Sequence, residues 1–163
     1  MAAPDIVMYE EEFNQIKTVI SKLRIDANAK VVFLVDKNGQ QIAAQGEIEN
    51  LDTTSLASLT AGNVAATDGL ARLIGEKEFT ILFHEGEKDN MHISLVGDRV
   101  ILVVIFDSRT SLGLVRLRVK RTSENIIRIF EEISRKTERE QASVRAGGAA
   151  APSPFAEITE DDI

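Results

Sequence analysis

A chain of 163 residues without cysteine, carrying 19 basic and 26 acidic side chains for a formal net charge of −7, excludes a disulfide framework, a thiolate nucleophile and a zinc ribbon. The acid excess argues against DNA or RNA as the main ligand, and 5% aromatic residues without tryptophan argue against a base-stacking or carbohydrate platform. The acidic start MAAPDIVMYEEEF is unlike a signal peptide, and the longest apolar run, residues 100–106, is too short to span a bilayer, so a cytoplasmic protein of one domain with a modest tail is expected.

Residues 8–23 read as a helix. Phe13, Ile16, Val19, Ile20 and Leu23 recur at helical spacing, and Glu10, Glu11 and Glu12 occupy the first turn, where the dipole favours acids. The β-branched run 31–36 is a strand, Asp36-Lys37-Asn38-Gly39 a hairpin turn, and residues 41–45 the return strand. A second helix over residues 51–74 is capped by Asp52, Thr53 or Thr54 and stopped by Gly75. Residues 79–84, 91–96 and 100–106 read as three further strands, the last apolar on both faces and therefore central. Thr110 or Ser111 caps a third helix that runs to about residue 136, its stripe marked by Leu114, Leu117, Ile126, Ile129, Phe130 and Ile133. The order α-β-β-α-β-β-β-α gives an α/β fold, an α+β sandwich with one antiparallel sheet. The domain is expected over residues 1–138, followed over 139–163 by a flexible Ala/Gly/Pro linker and an acidic C-terminal tail.

The second helix carries two stripes. Leu56, Leu59, Asn63, Leu70 and Leu73 read as core with one polar break. Ser58, Ala61, Gly62, Ala65 and Gly69 are all small. A glycine inside a helix costs about 1 kcal/mol against alanine, and a row of small residues lets another backbone come close. The row serves either a twin subunit or partner, or tight packing against the chain's own third helix; the pattern alone does not decide.

Chemistry-bearing motifs are weak. Gly69 to Gly75 fails the phosphate-loop spacing, with Lys77 one residue late. His84 and His92 lie on different strands near Glu85 and Asp89 without metal-ligand spacing, and read as solvated residues of a sheet edge. Ser94 and His92 share a strand face, with Asp98 or Asp107 nearby, but no nucleophile elbow is present. Arg109, in Asp107-Ser108-Arg109-Thr110, has the residue type a GTPase activator inserts, yet pairing with Asp107 or a helix end is the simpler account. Arg72, Arg116, Arg118 and Arg121 are helix-surface cations open to the same choice, and the basic cluster Arg116, Arg118, Lys120 and Arg121 reads either as a contact to phosphates or anionic lipid or, more simply, as a solvated face. No catalytic, cofactor or metal residue is assigned.

AKVVFLVDKNGQ (29–40), LDTTSLASLTAGNVAATDGLARLIGE (51–76), VVIFDSRTSLGLVRLRVKR (103–121) and SPFAEI (153–158) resemble the roadblock/dynein-light-chain family, and within it the bacterial members that partner a Ras-like GTPase in cell polarity and gliding motility. The resemblance implies a roadblock fold with a five-stranded antiparallel sheet, a homodimer whose second helices lie side by side, and a GTPase seated on that surface. It implies stimulation of GTP hydrolysis by reordering the GTPase's own switch residues, without a donated arginine and without a cofactor. It makes the small residues of the second helix contact positions, here Ala65 and Gly69, so the GTPase interface is expected at Ser58, Ala61, Gly62, Ala65, Asp68, Gly69 and Arg72, with a further tail contact through Phe155 and Ile158. A scaffold that binds a GTPase or another roadblock protein without accelerating hydrolysis remains open, as does a ligand sensor with a concave pocket. Cytoplasmic residence, with enrichment at a cell pole, follows from the same resemblance.

Overall fold

The computed structural model describes residues 6–148. In chain order the elements are α1 (Glu10–Asp26), β1 (Val31–Asp36), β2 (Gln41–Gly46), α2 (Thr53–Leu73), β3 (Ile81–Glu85), β4 (Asn90–Val96), β5 (Val100–Phe106) and α3 (Leu112–Gly148). The five strands form one antiparallel sheet in the order β2-β1-β5-β4-β3. β5 is central, as its two-faced apolarity requires, and both β1 and β5 are buried along their whole length. The β1–β2 turn is held by Asp36, whose Oδ1 accepts from the backbone amides of Asn38 and Gln40 at 2.9 Å each. Gly39 closes it at φ +88°, a conformation L side chains resist.

Alternation along the strands sends side chains to two separate cores. On one face, Val32, Leu34, Leu102 and Val104 meet Ile16, Ile20 and Leu23 of α1 and Val115, Ile126, Phe130 and Ile133 of α3. On the other, Val31, Phe33, Ile101 and Val103 meet only α2, through Ala57 and Val64. The sheet therefore separates an α1/α3 layer from a single-helix α2 layer. Among the described residues no helix is long and apolar enough to cross a membrane.

Three local expectations need correction. The leucine stripe of α2 joins the core only at Leu56, which is partly buried against the sheet: Leu59, Leu70 and Leu73 are 72%, 59% and 84% exposed. Ala57, Thr60, Val64 and Ala71 are the buried row instead, because small residues let the helix sit close to the sheet. At about 100° per residue the leucines then point roughly a third of a turn away from the sheet. Second, α3 does not give way to a linker after residue 138; it continues to Gly148. The segment QASVRAG is rich in residues that tolerate a helix, and an established helix extends at little further cost. Third, His92 is not a solvated edge residue. β4 lies inside the sheet, and His92 is 1% exposed.

Candidate functional site

α2 is firmly delimited. At its start Asp52 Oδ1 accepts from the Ser55 amide at 3.0 Å and Oδ2 from the Ser55 hydroxyl at 2.6 Å. These bonds hold the Asp52 carboxyl below its usual range. At its end Gly75 takes φ +83°, while the Gly75 and Glu76 amides donate to the carbonyls of Arg72 and Ala71. Asn63, the polar break in the leucine stripe, reaches sideways: its Nδ2 donates to Nε2 of His84 on β3 at 2.8 Å. The helix is thus fixed in rotation as well as in length.

That rotation leaves two adjoining rows uncovered. The small row has Ser58, Gly62, Ala65 and Gly69 exposed and Ala61 partly buried. A Cβ built on Gly62 or Gly69 would meet nothing within 4 Å. The row is not packed against α3, which lies across the sheet. Its first turn is instead shared with the chain's own hairpin: a Cβ at Gly39 would lie 3.1 Å from Cα of Ser58 and 3.5 Å from Cβ of Ala61. Asp68 and Arg72 flank the row, Asp68 partly buried with Oδ1 lacking a hydrogen-bond partner and Arg72 exposed. The second row is apolar: Leu59, Leu70, Leu73 and Ile74 are all more than half exposed, and Ile81 on β3 is 51% exposed. An uncovered apolar strip of this kind is unusual on the surface of a lone subunit. It had a sequence signal: α2 carries more apolar and small positions than one sheet face can cover.

The other candidates fall out of catalysis or stay isolated. Arg109 Nε donates to both oxygens of Asp107 at 2.9 and 3.2 Å, Nη2 reaches Glu47 at 3.5 Å, and its carbonyl accepts from Asn28. Asp107 raises the Arg109 pKa and is itself lowered by it. This is the loop pairing expected with Asp107. Ser94 Oγ and both ring nitrogens of His92 are buried without hydrogen-bond partners, so the two do not form a nucleophile–base pair. Burial, and then the Arg116 cation, lower the His92 pKa. Among the described residues no three metal-ligating side chains gather. A groove of about 970 Å³ does lie beside α2, between Leu51, Leu56, Met91 and Ile105, with Lys30, Glu47, His84 and Asp89 around it. Lys30 and Asp89 pair at 3.2 Å there. Phe155 and Ile158 lie outside the described residues.

A model of the Roadblock/LC7 domain matches residues 15–106. Among solved structures, Myxococcus xanthus MglB is 65% identical over 78% of this chain and 96% of its own, with a TM-score of 0.74. The gliding protein MglB of Thermus thermophilus is 33% identical over 80% of this chain and 99% of its own, with a TM-score of 0.75. An MglB described as having a tetrameric arrangement is 31% identical over 81% of this chain and 99% of its own, with a TM-score of 0.76. No curated protein matches the chain.

Proposed function

The chain belongs to the Roadblock/LC7 family, close to the MglB proteins, and from that premise we propose that it works as a homodimer which binds a small Ras-like GTPase of the MglA-like kind and stimulates its GTP hydrolysis. The observation that carries the reading is the double uncovered face of α2. The leucine row, with Ile74, suits a second copy of the chain: burying exposed leucines is worth about 1.5–3 kcal/mol each. The small row, Ser58, Ala61, Gly62, Ala65 and Gly69 with Asp68 and Arg72 beside it, suits close approach by the GTPase. Cytoplasmic residence, enrichment at a cell pole and a role in cell polarity and gliding motility belong to the same proposal, as does a tail contact through Phe155 and Ile158.

Such a regulator needs no catalytic group of its own. Phosphoryl transfer is accelerated chiefly by positioning and by charge stabilisation. A partner that binds the aligned arrangement of the switch loops more tightly than the misaligned one raises the aligned population. Moving it from 1:99 to 99:1 takes a differential of about 5.5 kcal/mol. The arginine and glutamine that do the chemistry remain the GTPase's, and Arg109 stays in its pairing with Asp107 and Glu47. Single-turnover GTP hydrolysis by a cognate GTPase, with and without the protein, is the test. Saturating protein accelerates hydrolysis if the reading is right; tight binding without acceleration leaves a scaffold. Ala65→Arg, at an exposed position, abolishes binding while the far-UV spectrum and Tm stay unchanged. Undiminished binding by that variant refutes the small-row interface.

A further inference from the structure

We propose that the cleft between α1 and α3, on the sheet face away from α2, is a binding site for a phosphate group. The cleft has a volume of about 150 Å³ and is lined by Lys22 and Asp26 of α1 and by Arg118, Arg121, Thr122 and Asn125 of α3. At about 30 Å³ per water molecule it holds roughly five waters. That suits one phosphate group and is too small for a nucleotide or a drug-sized ligand, which takes ~300 Å³ or more.

Charge and unmet hydrogen bonding agree on the ligand. Three cations face one carboxylate in a chain whose net charge is −7, so the cleft runs against the molecule's overall sign. Lys22, Arg118 and Arg121 enter no ion pair among the described residues, whereas Arg135 and Lys136 further along α3 pair with acids. Arg118 Nε is sealed from solvent with no acceptor. A buried donor left unmet is uncommon and destabilising, the more so when charged. Arg118 and Arg121 stand three residues apart, a spacing that brings two guanidinium groups to one side of a helix, where their fork geometry matches phosphate oxygens. Thr122 and Asn125 add uncharged donors. Asp26 limits the net charge of the lining to +2, which suits one phosphate group, as a monoanionic diester or a dianionic monoester. Elsewhere on α3, Arg116 and Lys120 are exposed, and no acid occurs from Ser108 to Ser123. That stretch extends an attractive field outward.

The phosphate can belong to an anionic lipid headgroup or to a soluble phosphate compound, and one experiment separates them. The full chain is titrated with inorganic phosphate and pyrophosphate by two-dimensional NMR, and floated with vesicles of phosphatidylglycerol in phosphatidylcholine or of phosphatidylcholine alone. Arg118→Gln and the exposed pair Lys22→Gln/Arg121→Gln are compared with Arg116→Gln/Lys120→Gln, which lies outside the cleft. Loss of one charge-assisted bond weakens binding by about tenfold or more. Shifts at residues 22, 118, 121 and 122 with the soluble anions, lost in the cleft variants, establish a soluble ligand. Flotation only with the anionic vesicles, lost in the same variants and kept in the control pair, establishes a lipid headgroup. No response to either probe overturns the site. So does equal loss in the control pair, which makes the whole basic face a diffuse attractor. α2 is on the opposite face, so the cleft variants retain whatever GTPase stimulation the wild type shows.

Discussion

Replacing Gly62 and Gly69 by alanine separates what α2 does for its own chain from what it does for a partner. Both glycines sit inside the helix without positive φ, and an added Cβ at either would meet no neighbouring atom within 4 Å. Within the subunit the change is therefore pure propensity: glycine to alanine stabilises a helix interior by about 0.8–1 kcal/mol at each site. The pair together gives about 2 kcal/mol, or about 4–8 °C in Tm for a chain of this size. At a close backbone contact the same two methyl groups overpack, at about 1–3 kcal/mol, which weakens binding roughly five- to a hundredfold. The double variant should thus melt higher and bind its GTPase more weakly. Thermal unfolding and a titration of fluorescent-nucleotide-loaded GTPase read the two effects on one sample. A variant that melts higher and binds the GTPase with unchanged affinity refutes the argument that the small row exists for close approach. A variant that melts lower shows that the row packs inside its own assembly.

Three further expectations concern the α1/α3 layer. His92 is buried and its pKa is lowered, so below pH ~6.5 the unfolded chain takes up a proton that the native state refuses. Stability falls as pH drops from there through the native pKa of His92, by at most about 1.4 kcal/mol per pH unit, and His92→Leu removes that component of the urea midpoint's pH dependence. Lys136 bonds to the carboxylate of Glu12, which is 2% exposed, and this bond keeps the Glu12 pKa low against the opposing effect of burial. The pair's contribution is present above the unfolded carboxyl pKa and is lost as pH falls through the native one. Lys136→Met strands the buried acid and lowers Tm, and adding Glu12→Leu restores most of the loss, measured as a double-mutant cycle. Removing residues 141–163 leaves Tm and self-association by light scattering unchanged, because 141–147 are exposed and, among the described residues, the side-chain bond from Tyr9 to Glu140 at 2.9 Å is the furthest along α3 to another element.

Much of the fold could be read from local patterns. The Asn-Gly turn, the Asp52 cap, the Gly75 stop and the two-faced run of β5 each depend on residues within a few positions, and each stands where those residues put it. What escaped depends on partners far apart in the chain. An apolar stripe says that a helix face must be covered but not by what, so Leu59, Leu70 and Leu73 read as core although they face outward. His92 read as solvated because strand order is not written in any one strand; only the β4–β5 pairing places it inside the sheet, within reach of the Arg116 cation of α3. A change of composition at residue 141 suggested a linker, yet alanine and glutamine are also helix formers, and α3 runs through them. Of the candidate site, the exposure of Gly62, Ala65, Gly69 and Arg72 agrees with an interface. Ser58 and Ala61 border the hairpin tip at Gly39.

That seat of Gly39 on Ser58 ties the hairpin tip to the helix like a feeler resting on a shaft. A methyl added at Gly39 would stand 3.1 Å from the Ser58 Cα, so a residue without a side chain is what lets the hairpin lie this close to α2. Because the tip borders the surface proposed for docking on α2, a probe at exposed Lys37 is expected to respond when a partner docks there.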